Sequence, residues 1–61
     1  MKINDIKAIR EGKKKLEYNG NIYECIAEVN GSLTLQSVND DYSIRLPETF
    51  LFTNKECRAI K

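Results

Sequence analysis

Three turn signals, Asn19-Gly20, Asn30-Gly31 and Asn39-Asp40, divide the stretch from Leu16 to Leu46 into four short alternating segments. This constrains the fold more than any other feature, because a pairing shifted by one residue turns a strand's whole apolar set to the opposite face. Asn19-Gly20 suits a two-residue type I′ turn, since both residues tolerate positive φ. That turn sets Leu16 opposite Tyr23. Asn30-Gly31 treated the same way would set Leu33 opposite Glu28 and split the apolar residues between faces. The expected loop is therefore Val29-Asn30-Gly31, with Gly31 as the left-handed residue of a G1 bulge, so that Ala27 faces Leu33 and Cys25 faces Leu35. A turn at Asn39-Asp40 then sets Leu35 opposite Ile44 and Leu33 opposite Leu46. One apolar surface results, made of Leu16, Tyr23, Cys25, Ala27, Leu33, Leu35, Ile44 and Leu46.

The flanking segments read as cover. Ile3, Ile6 and Ile9 recur at helical spacing, with Asn4 or Asp5 placed to cap and Gly12 placed to stop, which predicts a short helix over about Asp5 to Glu11. So short a helix holds in water only when its apolar stripe is docked. Pro47 ends the fourth strand because it has no amide hydrogen to donate. Pro47-Glu48-Thr49 with Phe50-Leu51-Phe52 reads as a turn, or a single 3₁₀ turn, that drops an aromatic onto the core and leaves one of the three exposed. The segment from Lys55 to Ile60 suits a fifth strand returning to the first, with Cys57 and Ala59 inward.

The expected fold is mainly β, an antiparallel meander of four to five short strands in an SH3-like or similar small barrel, with a short N-terminal helix. It is one domain over residues 1–61. Residues 1–12 form the helix and cap, 13–46 the three-hairpin meander, and 47–61 the turn and closing strand. A chain of this length buries only about 60% of its unfolded surface, so modest stability is expected, and strand edges that pair two copies into a homodimer would add contact area. No apolar run approaches the ~20 residues a membrane helix needs. The first residues lead into charge, not into a signal-peptide apolar region, and the expected compartment is the cytoplasm. Cys25 and Cys57 are expected as free thiols.

Charge is unevenly placed along a chain of net charge +1. Residues 1–15 carry six cations and two anions; residues 16–48 carry six carboxylates against Arg45 alone. Catalysis has little to work with. The chain has no histidine, which removes Ser/His/Asp and Cys/His arrangements, and the two cysteines without histidine exclude a four-ligand zinc site. Each of the three glycines is explained by a cap or a turn, so no phosphate loop remains. No enzyme activity, cofactor or metal is expected.

Binding is what remains. The outer face of the sheet is expected to carry Ile22, Ile26 and Val38 between Glu24, Glu28, Asp40 and Asp41. Such a surface suits a basic groove on a protein partner, including a protein that itself binds nucleic acid, through charge steering and a few apolar anchors. Small size and a Lys/Asn/Ile-rich character fit an accessory or inhibitor protein of a phage or other mobile element. The alternative expectation is nucleic-acid binding through Lys7, Arg10, Lys13, Lys14 and Lys15, with a steep dependence on salt. The tyrosines Tyr18, Tyr23 and Tyr42 do not share a face in this register and offer no stacking platform.

Overall fold

A computed structural model describes residues 1–61, with the elements α1 (Ile3–Arg10), β1 (Lys15–Tyr18), β2 (Asn21–Val29), β3 (Ser32–Ser37), β4 (Ser43–Pro47), α2 (Glu48–Thr53) and β5 (Arg58–Ile60). The five strands form one antiparallel sheet in the order β4-β3-β2-β1-β5. The meander and the return of β5 to β1 follow the sequence reading. The barrel does not: β4 and β5 are separate edges, and the sheet stays open. β5, three residues long, pairs with β1 alone.

Register decides which side chains meet. Leu16 faces Tyr23, Leu35 faces Ile44 and Leu33 faces Leu46, as the turns require. The Asn30-Gly31 loop differs from expectation. Val29 pairs with Ser32, and Asn30 (φ 52°) and Gly31 (φ 83°) make a two-residue turn with both φ positive, the geometry of type I′. Glu28 therefore faces Leu33, the pairing that the sequence reading rejected. The apolar faces are brought back together inside β2, where the register shifts between Cys25 and Ala27 so that Cys25 still faces Leu35. The extra residue sits at Ile26, as a bulge in the strand, and not at Gly31. Ala27 accordingly pairs with Thr34 and leaves the core face, while Glu28 enters it at the turn end.

Both helices lie on that one face. Ile6, Ile9, Leu51 and Cys57 pack with Leu16, Tyr23, Leu33 and Leu35 into the core. Helix α1 begins at Ile3, earlier than expected, with Lys2 as an N-cap that makes no side-chain bond. Gly12 (φ 81°) ends it: its N–H donates to the Ile9 carbonyl at 3.1 Å and the Lys13 N–H to the Ala8 carbonyl at 2.8 Å, a Schellman closure. Two isoleucines of the stripe are buried, but Ile3 is 68% exposed.

The segment after Pro47 is a six-residue α-helix and not a turn. Helical geometry buries Leu51 completely, sets Phe50 edge-on against Tyr18 at 5.6 Å between centroids, and leaves Phe52 53% exposed. Phe50 packs against the core as the aromatic expected there, Leu51 is buried beside it, and Phe52 is the one left exposed. The Glu48 N–H donates to the Gly31 carbonyl at 2.9 Å, tying the first turn of α2 to the β2–β3 hairpin.

Candidate functional site

The sheet face away from the helices has no covering layer. Antiparallel sheets often leave one face to water, and such a face is usually polar. Here it is mixed. Cross-strand pairing builds a row of Ser43, Gln36 and Glu24, with Lys15 paired to Ile60 at the far end, and a second row of Arg45, Thr34 and Ala27. Glu17 lies between Ile22 and Arg58, whose guanidinium Nε is 3.7 Å from the Glu17 carboxylate. Ile26 (56% exposed), Val29 (49%) and Val38 (40%) supply the apolar part.

The loop after β3 completes the site. Ser37 is buried, and its hydroxyl accepts the Asp40 N–H at 3.1 Å and the Asn39 N–H at 3.4 Å. The Val38 N–H donates to the Ile22 carbonyl at 2.9 Å, and the Ser37 N–H to the Tyr42 carbonyl at 3.0 Å. These bonds hold the loop over the sheet end. Beneath it is a shallow depression of about 770 Å³ lined by Lys15, Glu24, Gln36, Ser37, Val38, Asn39, Asp40 and Asp41. Three carboxylates against one ammonium give it a negative balance.

The expected protein-binding residues divide as follows. Glu24, Val38, Asp40 and Asp41 line the depression, and Ile22 and Ile26 lie on the same sheet face. Glu28 does not belong: the bulge places it on the helix side, where its Oε2 accepts the Gly31 N–H at 2.8 Å. Gln36 and Lys15 are additions to the site. Their place follows from the register that the turns imply, since Gln36 faces Glu24 and Lys15 lies one step beyond the Leu16–Tyr23 pair. Val29, assigned to a loop in the sequence reading, is a strand residue with its side chain exposed.

The basic residues are dispersed and mostly engaged. Arg10 Nη1 lies 2.9 Å from Glu48, Lys13 Nζ 3.3 Å from Glu11, and Lys14 Nζ 3.1 Å from Asp5. Lys15 stands among the carboxylates of the depression, so these cations form no single patch with Lys7. The tyrosines are also separated. Tyr23 is buried and shares a 3.0 Å hydroxyl–hydroxyl hydrogen bond with Tyr42, while Tyr18 packs on Phe50. That hydrogen bond pushes the Tyr42 phenol above its ordinary value.

Cys57 is buried and Cys25 half-buried, both as free thiols, and burial pushes both upward in pKa. No helix is long and apolar enough to cross a membrane. A second concavity, of about 390 Å³, lies between α1 and α2. Comparison with protein-family models, curated proteins and solved structures gives no match, so the site rests on its own geometry.

Proposed function

We infer that this protein is a small binding module that docks a basic protein surface on the open sheet face, without catalysing a reaction. The observation that carries this reading is the convergence of Glu24, Asp40 and Asp41 around one depression beside the exposed apolar side chain of Val38. The excess of carboxylates over Lys15 raises the encounter rate with a cationic partner, and Ile26, Val29 and Val38 give the bound state apolar contact from which water is excluded. A partner whose basic groove otherwise holds nucleic acid matches this chemistry, because carboxylates can compete for the cations that hold phosphates. Such competition fits an accessory or inhibitor protein of a mobile element. The alternative, nucleic-acid binding through Lys7, Arg10, Lys13, Lys14 and Lys15, has less support, since three of those five cations lie against carboxylates that a phosphate would have to displace.

The test is capture of partners from nuclease-treated and untreated lysate by three proteins: the wild type, Glu24→Lys combined with Asp40→Lys, and Lys13→Ala combined with Lys14→Ala. The reading expects a discrete protein that survives nuclease, is lost with the acidic-face variant and is kept by the lysine variant. Recovery of nucleic acid that depends on Lys13 and Lys14 would replace it with the alternative.

A further inference from the structure

We propose that the groove between α1 and α2 is a second docking site, for an amphipathic helix of a partner protein that carries carboxylates beside its apolar stripe. The groove lies on the opposite side of the sheet from the depression, and the inference does not rest on the reading of that face.

Its walls come from two helices. Ile3 and Ile6 of α1 and Phe52 of α2 line it together with Lys7, Thr49 and the Arg10–Glu48 ion pair, which joins the two helices at 2.9 Å. Single exposed apolar residues are ordinary and need no explanation. Here Ile3, the most exposed large apolar side chain of the molecule at 68%, and Phe52 at 53% line one concavity. Neither is needed by the core, because α1 is anchored through Ile6 and Ile9 and α2 through Leu51. Two large side chains held out of the core line one groove, where a partner could cover both at once.

The charge of the walls selects the occupant. Glu48, the groove's carboxylate, is satisfied by Arg10, whereas Lys7 has no carboxylate partner, and neither has Lys2 at the start of α1. A basic segment would meet Lys7 uncompensated. An acidic segment gains a charge contact next to apolar walls, where screening is weaker than in open water. Shape selects a helix, since side-chain ridges of two helices at three- and four-residue spacing accept a third by the same interdigitation. The occupant then sets apolar residues at i and i+4 over Ile3 and Phe52 and a carboxylate toward Lys7. Eight residues of α1 extend for about 12 Å, so two turns of the partner are engaged.

The test uses the isotope-labelled full chain and two synthetic helical peptides of about 15 residues, long enough to hold a helix. They share one leucine stripe and differ in carrying glutamate or lysine beside it. The acidic peptide is expected to shift the amides of Ile3, Lys7 and Phe52, to leave those of Thr34 and Gln36 unmoved, and to bind about tenfold tighter than the basic one. Lys7→Glu should reverse that preference, and Phe52→Ser should weaken the acidic peptide while lowering the melting temperature by no more than about 4 °C. Equal binding of both peptides, shifts confined to the sheet face, or no shift at all would overturn the proposal. So would concentration-dependent association of the chain alone that Phe52→Ser abolishes, because a second copy would then be the occupant.

Discussion

Glu28 lies directly across the β2–β3 pair from Leu33, and its carboxylate turns back to accept the Gly31 N–H at 2.8 Å. A charged side chain on the core face is tolerated there because the position is at the turn end of the hairpin, where Glu28 is exposed and its carboxylate has a donor. The same Gly31 gives its carbonyl to the Glu48 N–H at 2.9 Å, so the turn and the start of α2 are fixed together. Glu28→Ala should lower stability by about 1 kcal/mol, read as a fall of ~4–8 °C in melting temperature for a domain of this size. Amide exchange should quicken at Gly31 and Glu48 together. An unchanged melting temperature would mean that the carboxylate is not holding the turn.

The bulge makes a sharper claim. Ile26 is the extra residue between the Cys25–Leu35 and Ala27–Thr34 pairs. Deleting it leaves both pairs and the Asn30-Gly31 turn in place and gives a regular hairpin. The Ile26 deletion should therefore fold with the same cross-strand contacts, with a change in stability of about 1 kcal/mol or less, and should lose one exposed apolar residue from the candidate site. Deleting Ala27 instead removes the residue that pairs with Thr34, and the strand must use Ile26 in its place. Cross-strand NOEs in the Ile26 deletion that pair Cys25 with anything but Leu35 would contradict this register.

This explains what the sequence could and could not show. Asn-Gly turns and alternating apolar residues carry register locally, and the pairs Leu16–Tyr23, Leu35–Ile44 and Leu33–Leu46 followed from them directly. An apolar face that must stay continuous also demanded one extra residue between Cys25 and Leu33. A loop residue and a strand bulge restore the face equally well, so the local pattern does not choose between them. In the structure the extra residue is Ile26, and the two-residue turn leaves the Gly31 carbonyl to accept the Glu48 N–H of α2. Glu28 was assigned to the wrong face for that reason alone. Glu24, Val38, Asp40 and Asp41 line one depression, on the other side of the bulge from Glu28, where the pairing follows the turns.

The rotation of α2 separates two neighbours that a strand-like reading treats differently. Leu51 is fully buried and Phe52 is 53% exposed. Leu51→Ala should cost about 2–5 kcal/mol, a large part of the stability of a chain with nine buried residues. Phe52→Ala should cost about 0.5 kcal/mol or less, as for an exposed position. Urea denaturation of both variants checks the assignment, and a larger loss at Phe52 would require α2 to be rotated.

The thiols set the response to alkaline conditions. Burial raises the pKa of Cys57 and of Cys25, so the folded state keeps their protons to higher pH than the unfolded chain does. Their contribution is fully present below the unfolded thiol value of about 8.5, and stability falls as pH rises above it, because the unfolded state then releases protons first. Replacing Cys57 with Ala should flatten this alkaline decline. Alkylation of Cys57 at neutral pH should track global unfolding, while Cys25, half-buried at the sheet, reacts earlier.

Ser37 links loop order to binding. Its buried hydroxyl accepts the Asn39 and Asp40 amides, holding the loop that carries Asp40 and Asp41 over the sheet end. Removing the hydroxyl with Ser37→Ala should cost about 1 kcal/mol and should accelerate exchange at Asn39 and Asp40 while leaving the Leu33 and Leu35 amides protected. The carboxylates then have to be ordered when a partner binds, and that ordering opposes binding. Affinity for a basic partner should fall in Ser37→Ala even though no charge has been removed, and the salt dependence of binding should remain. Unchanged affinity alongside faster loop exchange would mean that the partner reads Glu24 and the strand residues without the loop, which would confine the site to the sheet itself.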